Sequence, residues 1–99
     1  FQIRQKLHQN PELSGNEEKT ACYVVEKLKE FGLTEIYTNF AAHSVLAVIR
    51  GNNSGKTILF RTELDALPIA EANTFEHRSD QDGISHKCGH DGHIATLIS

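Results

Sequence analysis

Cysteine and histidine are the side chains that hold zinc and similar divalent ions, as thiolate and neutral imidazole. The chain gathers them in one run, Cys88-Gly89-His90-Asp91-Gly92-His93. Cys88 and His90 put two donors on one loop, and Gly89 between them permits a tight bend. A helix is predicted to start just after, which places Asp91 in its first turn, where a carboxylate is favoured. A structural zinc site uses four protein ligands, and this run supplies two or three. The shortfall fits a catalytic ion with an open position, or ligands supplied from elsewhere. The bland alternative is a buried thiol beside a hydrogen-bonded loop histidine.

A second run, Arg61-Thr62-Glu63-Leu64-Asp65-Ala66-Leu67-Pro68, puts two carboxylates at the C-terminal end of a predicted strand. Open α/β sheets place their sites at such ends. Ion-ligating histidines commonly donate their second ring nitrogen to a carboxylate. Asp65 is the candidate for that role, against the alternative of a carboxylate capping a turn. The residue types leave open whether Glu63, Glu71 or His93 touches the site. His8 is expected to fix a turn with Pro11 and Glu12. His43, His77 and His86 are expected to be solvated or locally bonded.

Several elements must position these groups. Ile3 and Leu7 predict a short helix closed at Asn10-Pro11, because proline disfavours helix in the residue before it. Ser14 and Glu17 have the spacing of a capping box. Behind them Ala21, Val24, Val25, Leu28 and Phe31 recur at helical spacing, predicting a helix from about Glu17 to Phe31 that stops at Gly32. Cys22 is expected in the core. Thr34–Thr38 predicts a short strand and Val45–Arg50 a stronger one. Gly51 to Gly55 is a turn by composition, with Thr57–Arg61 as the hairpin partner of the strand before it. The apolar residues of that pair are nearly continuous, as in sheets covered on both faces. This patterning predicts an α/β layered domain with helices packed on a mixed sheet. Residues 63 to 89 lack periodicity, and so long an irregular stretch inside a domain is usually functional.

The chain has 99 residues, a net charge of −3 and scattered Lys and Arg. That composition gives no case for nucleic-acid binding. No apolar run approaches a membrane span. Two cysteines are present; no disulfide is expected between Cys22 and Cys88, which fits a reducing, cytoplasmic setting. The chain does not begin with Met, and the apolar pattern Ile94, Ala95, Leu97, Ile98 stops at Ser99. A fragment of a longer polypeptide is expected.

The ordered set His8-Gln9-Asn10-Pro11-Glu12-Leu13-Ser14, Glu17, Thr20, Arg61 to Ile69, Glu71 and Cys88 to His93 is specific. From about Arg4 to Leu97 the chain resembles the N-terminal part of the metal-dependent amidohydrolases that include aminoacylases, hippurate hydrolases and indole-acetyl-amino-acid hydrolases. The resemblance implies that Cys88 and His90 are the first two metal ligands and that Asp65 is the site aspartate orienting a ligand histidine. His93 becomes a supporting residue. The chain departs from the family at Glu63, where an Asp is usual, and at Thr62, where an Ala is usual. Those departures put fine substrate preference in doubt.

The resemblance further implies two divalent ions per intact site, Zn, Mn, Co or Ni. His90 would be the bridging or close-in imidazole and Cys88 a terminal thiolate. The substrate would be a small N-acyl amino acid or a short peptide, hydrolysed at its amide. It implies a homodimer formed through a lid domain lying beyond residue 99, together with the general-base glutamate and the other ligands. Residues 1–99 are then the N-terminal portion of the metal-binding catalytic domain, inactive alone. A non-proline cis peptide is expected at His90–Asp91. The alternatives are a dipeptidase or carboxypeptidase-type metallopeptidase, or a non-catalytic zinc-stabilised binding module.

Overall fold

Helix α1 spans Gln2–Gln9, α2 Glu18–Glu30 and α3 His90–Ile98 in the computed structural model, which describes residues 1–99. Strands β1 (Ile36–Thr38) and β2 (Val45–Ala47) form an antiparallel pair, with Tyr37 opposite Leu46. The architecture is mixed α/β. Two isolated bridges extend it, Leu13 to Ala66 in parallel and Leu67 to Ser85 in antiparallel sense.

The helices meet because each carries a few apolar residues on one face. Leu7 of α1, Val24 of α2 and Ile94 and Ile98 of α3 make the buried cluster. Ile3, Tyr23, Leu28, Val45 and Leu64 pack around it. On α3 the residues Asp91, Ile94 and Ile98 are the buried ones. That spacing is one helix face, so His90 and His93 lie on the other.

α1 ends as expected: the Asn10 amide bonds the Leu7 carbonyl at 3.1 Å, and Pro11 follows. The start of α2 differs from expectation. Glu17 flanks the helix and no side-chain cap forms from Ser14. The carboxylate of Glu12 accepts instead from the amides of Lys19 (3.2 Å) and Thr20 (2.7 Å), and from the Thr20 hydroxyl (2.8 Å). A side chain from the preceding loop thus satisfies two of the helix's open N–H groups. At the other end Gly32 adopts φ +86°. The Leu33 amide reaches the Leu28 carbonyl at 3.0 Å and the Gly32 amide reaches Lys29 at 2.9 Å. That is a Schellman stop. Phe31 lies outside the helical turn and is exposed, as is Cys22, so neither joins the core. Both cysteines are free thiols.

The hairpin of Val45–Arg50 with Thr57–Arg61 does not form. β2 pairs with β1, and residues 57 to 61 carry no ladder. Ile58, Leu59 and Phe60 are 75%, 78% and 74% exposed. An unbroken apolar run has no polar face to set its register. It needs cover on both sides, which nothing in residues 1–99 supplies.

Candidate metal centre

His90 is the first residue of α3, and Gly89 before it takes φ +96°. A side chain at Gly89 would clash with nothing within 4 Å, so the glycine serves the left-handed backbone alone. All peptide bonds are trans, so the expected cis bond at His90–Asp91 is absent. The sharp entry into α3 is made at the Gly89 φ angle instead.

Asp65 is brought to His90 by the two bridges. The Ala66 amide bonds the Glu12 carbonyl at 2.7 Å, and Leu67 and Ser85 exchange backbone bonds of 3.1 and 3.0 Å. The Ser85 hydroxyl, fully buried, donates to the Ile69 carbonyl at 2.6 Å. His90 Nδ1 then lies 2.9 Å from the Asp65 carbonyl oxygen and 3.0 Å from its Oδ1. Both partners only accept, so Nδ1 is the donor. The lone pair is left on Nε2, free to face an ion. An imidazole so held has one ring nitrogen free, which fits the close-in alternative expected for His90.

Glu63, His90 and His93 each present a ligand atom, and these atoms all lie within 4.8 Å of one another. Two imidazoles and a carboxylate suit a divalent ion with an open position. Cys88 is exposed and is not part of this cluster.

Behind the loop sits a buried charged network. Asp91 Oδ2 accepts from His8 Nδ1 at 2.8 Å and from Arg4 Nε at 3.2 Å. His8 Nε2 donates to Glu71 Oε1 at 2.9 Å, and Lys87 Nζ reaches the same oxygen at 3.0 Å. Glu71 also accepts from the Ser79 amide at 2.6 Å and from Asn73 at 2.7 Å. A carboxylate on each ring nitrogen is satisfied only when both nitrogens of His8 donate. Burial pushes the Glu71 and Asp91 carboxyls upward. For Glu71 the bonds from Ser79, His8, Asn73 and Lys87 outweigh it, and its pKa falls well below the usual carboxylate range. For Asp91 the bonds from His8 and the Gly92 amide outweigh it in the same direction. Lys87 and Asp91 flank Cys88–His90, so this network clamps the run at both ends.

Sequence reasoning missed this clamp. His8 is buried against Asp91 and Glu71 and does not fix a local turn. His77 stacks on Phe75 with ring centroids 4.2 Å apart. His86 is neither solvated nor bonded: it is buried and both ring nitrogens lack a partner. Burial lowers its pKa and favours the neutral ring.

An N-acyl-L-amino acid amidohydrolase of Geobacillus stearothermophilus is 47% identical over 95 residues, covering 96% of this chain and 25% of that protein. Thermostable carboxypeptidase 2 of Saccharolobus solfataricus is 42% identical over 99% of this chain and 25% of its own. The crystal structure of the Bacillus subtilis YXEP protein, a dinuclear metal binding peptidase from the M20 family, matches with a TM-score of 0.91 at 38% identity. That match covers 98% of this chain and 27% of YXEP. Over nearly all of its length the chain is similar to amidohydrolases and to a metal-binding M20 peptidase.

The chain spans about a quarter of the length of the curated relatives it matches. No protein-family model matches it. Its helices and two-stranded sheet are those of the M20 structure over the shared quarter.

Proposed function

We propose that the intact protein hydrolyses the amide bond of N-acyl amino acids with the help of divalent metal ions. In this reading residues 1–99 are the N-terminal portion of its metal-binding catalytic domain. The observation that carries it is His90, fixed by Asp65 with Nε2 left free, on a loop clamped by Lys87 and Asp91. The N-acyl-L-amino acid amidohydrolase relative supports the substrate class.

The residues present fit such ions. Cys88 and His90 would be ligands, with Zn, Mn, Co or Ni all suited to sulfur and imidazole donors. Ions bound there would polarise an amide carbonyl and acidify a water. Asp65 is a positioning residue: it holds the proton on Nδ1 and fixes the plane of the ring. His8 and Glu71 keep Asp91 and Lys87 in place, so the loop does not have to reorganise when a ligand arrives. The general base and further ligands belong to sequence beyond residue 99, which makes residues 1–99 inactive alone. Ile58, Leu59 and Phe60 take their sheet neighbours from that same sequence. A homodimer in a reducing cytoplasm completes the proposal, the latter supported by two free thiols.

A second reading, peptide hydrolysis, is favoured by the carboxypeptidase relative. Release of free amino acid from a panel of N-acyl amino acids and dipeptides, with and without a chelator, separates the two. The expected result is chelator-sensitive release from N-acyl amino acids above dipeptides. Release from dipeptides alone assigns the peptidase; release from neither ends both readings.

A further inference from the structure

We infer that Glu63 and His93 are ion ligands, and that with His90 they form a three-donor site of their own for a divalent first-row metal ion. The geometry is built into two elements. His90 and His93 sit three positions apart on α3, so their rings share one face, with centroids 5.9 Å apart. Glu63 comes from the segment that also carries Asp65, and Asp65 is bonded to His90. The pairing that orients His90 therefore also delivers Glu63 to the same place.

The three ligand atoms lie within 4.8 Å of one another. Donors about 2.0–2.2 Å from one tetrahedral ion stand about 3.3–3.6 Å apart. The Glu63 side chain is 45% exposed and its present partner is Arg61, itself 79% exposed, at 3.1 Å. An exposed pair of this kind is weak and easily exchanged for an ion. His90 is already limited to Nε2 by its bond to Asp65. Two imidazoles and one carboxylate leave a fourth position for water or substrate, as a catalytic ion requires. Cys88 lies outside this set. The inference shares His90 with the proposed function and does not depend on which amide is cleaved.

Cobalt(II) titration of the metal-stripped intact protein tests it, by calorimetry and visible absorption. Glu63→Gln and His93→Gln are each expected to weaken one cobalt site by about 10–100-fold and to alter its ligand-field bands. Glu63→Asp keeps the carboxylate on a shorter arm and should recover part of the loss. Cys88→Ser should remove the thiolate charge-transfer band and leave the Glu63-dependent step in place. Both Glu63 and His93 are exposed, and far-ultraviolet circular dichroism confirms that each variant folds. Isotherms and spectra of Glu63→Gln and His93→Gln that superimpose on the unsubstituted protein overturn the inference. If amide hydrolysis is still ion-dependent in that case, the proposed function stands without it. Cobalt bound through Glu63 with no amide hydrolysed supports the inference and ends the proposed function. No cobalt bound at all overturns both.

Discussion

Two regions of this chain invert the usual arrangement of side chains. Around α1 and the start of α3, charged and polar groups are buried: His8, Asp91, His86 and the Glu71 side chain. In residues 57 to 61 apolar groups are exposed: Ile58, Leu59 and Phe60. The first region is complete within the chain, since each carboxylate has several donors and only His86 lacks them. The second is incomplete, since its backbone and both its faces have no partner here. Burying charge is expensive unless each group is paired, so a satisfied charged cluster marks a place where position matters more than stability. Here that place is the back of the Cys88–His90 loop. An uncovered apolar segment marks a surface suited to meet another.

The sharpest way to break this contrast is at the centre of the clamp. His8→Phe keeps the ring volume and leaves Asp91 and Glu71 short of their shared donor. Removing one partner from a buried ionic group costs about 3–5 kcal/mol. Urea unfolding should show that loss, and an unchanged midpoint would mean that Arg4 and Lys87 suffice alone.

Acid should act on the same region. Glu71 and Asp91 titrate below the ordinary carboxylate range in the folded state. The unfolded chain, with carboxyl pKa values of about 4, binds protons first as pH falls. Their contribution is therefore fully present above about pH 5 and fades as pH drops through the folded pKa values. Thermal unfolding at about pH 7, 5 and 3 should show the decline. Glu71→Gln should flatten it.

Two substitutions probe how the loop and α2 are held. Gly89→Ala meets no atom within 4 Å but must keep φ +96°, so its cost is backbone strain of about 1–2 kcal/mol. Glu12→Ala removes the acceptor for the amides of Lys19 and Thr20 and should cost about 0.5–2 kcal/mol by denaturation, whereas Ser14→Ala should change nothing measurable. At the other pole, Leu59→Lys in residues 1–99 should move stability by less than about 0.5 kcal/mol while reducing self-association in sedimentation. A large loss there would show that the exposed segment is packed after all.

These contrasts also separate what the sequence makes legible from what it hides. The helices were readable because Val24 and Leu28, and Ile94 and Ile98, each stand at helical spacing and Gly32 supplies the stop of α2. The pairing of Asp65 with His90 was readable because a ligand imidazole needs an acceptor on its second nitrogen. The cap on α2 was misread: Ser14 and Glu17 have the right spacing, but Glu12 reaches the same amides from outside the motif. The hairpin failed because local patterning cannot choose between β1 and residues 57 to 61 as the partner of β2. The clamp was hidden because His8, Glu71 and Asp91 are far apart in sequence and each looks like an ordinary surface residue.

The central claim is that His90, held by Asp65, is an ion ligand of an amide hydrolase. Its most direct test is N-acyl amino acid hydrolysis by the intact protein after metal stripping and resupply, beside His90→Gln treated in the same way. The account predicts activity lost on stripping and regained with a divalent ion in the unsubstituted protein, and no recovery in His90→Gln. Hydrolysis that survives stripping, or full recovery in His90→Gln, contradicts it.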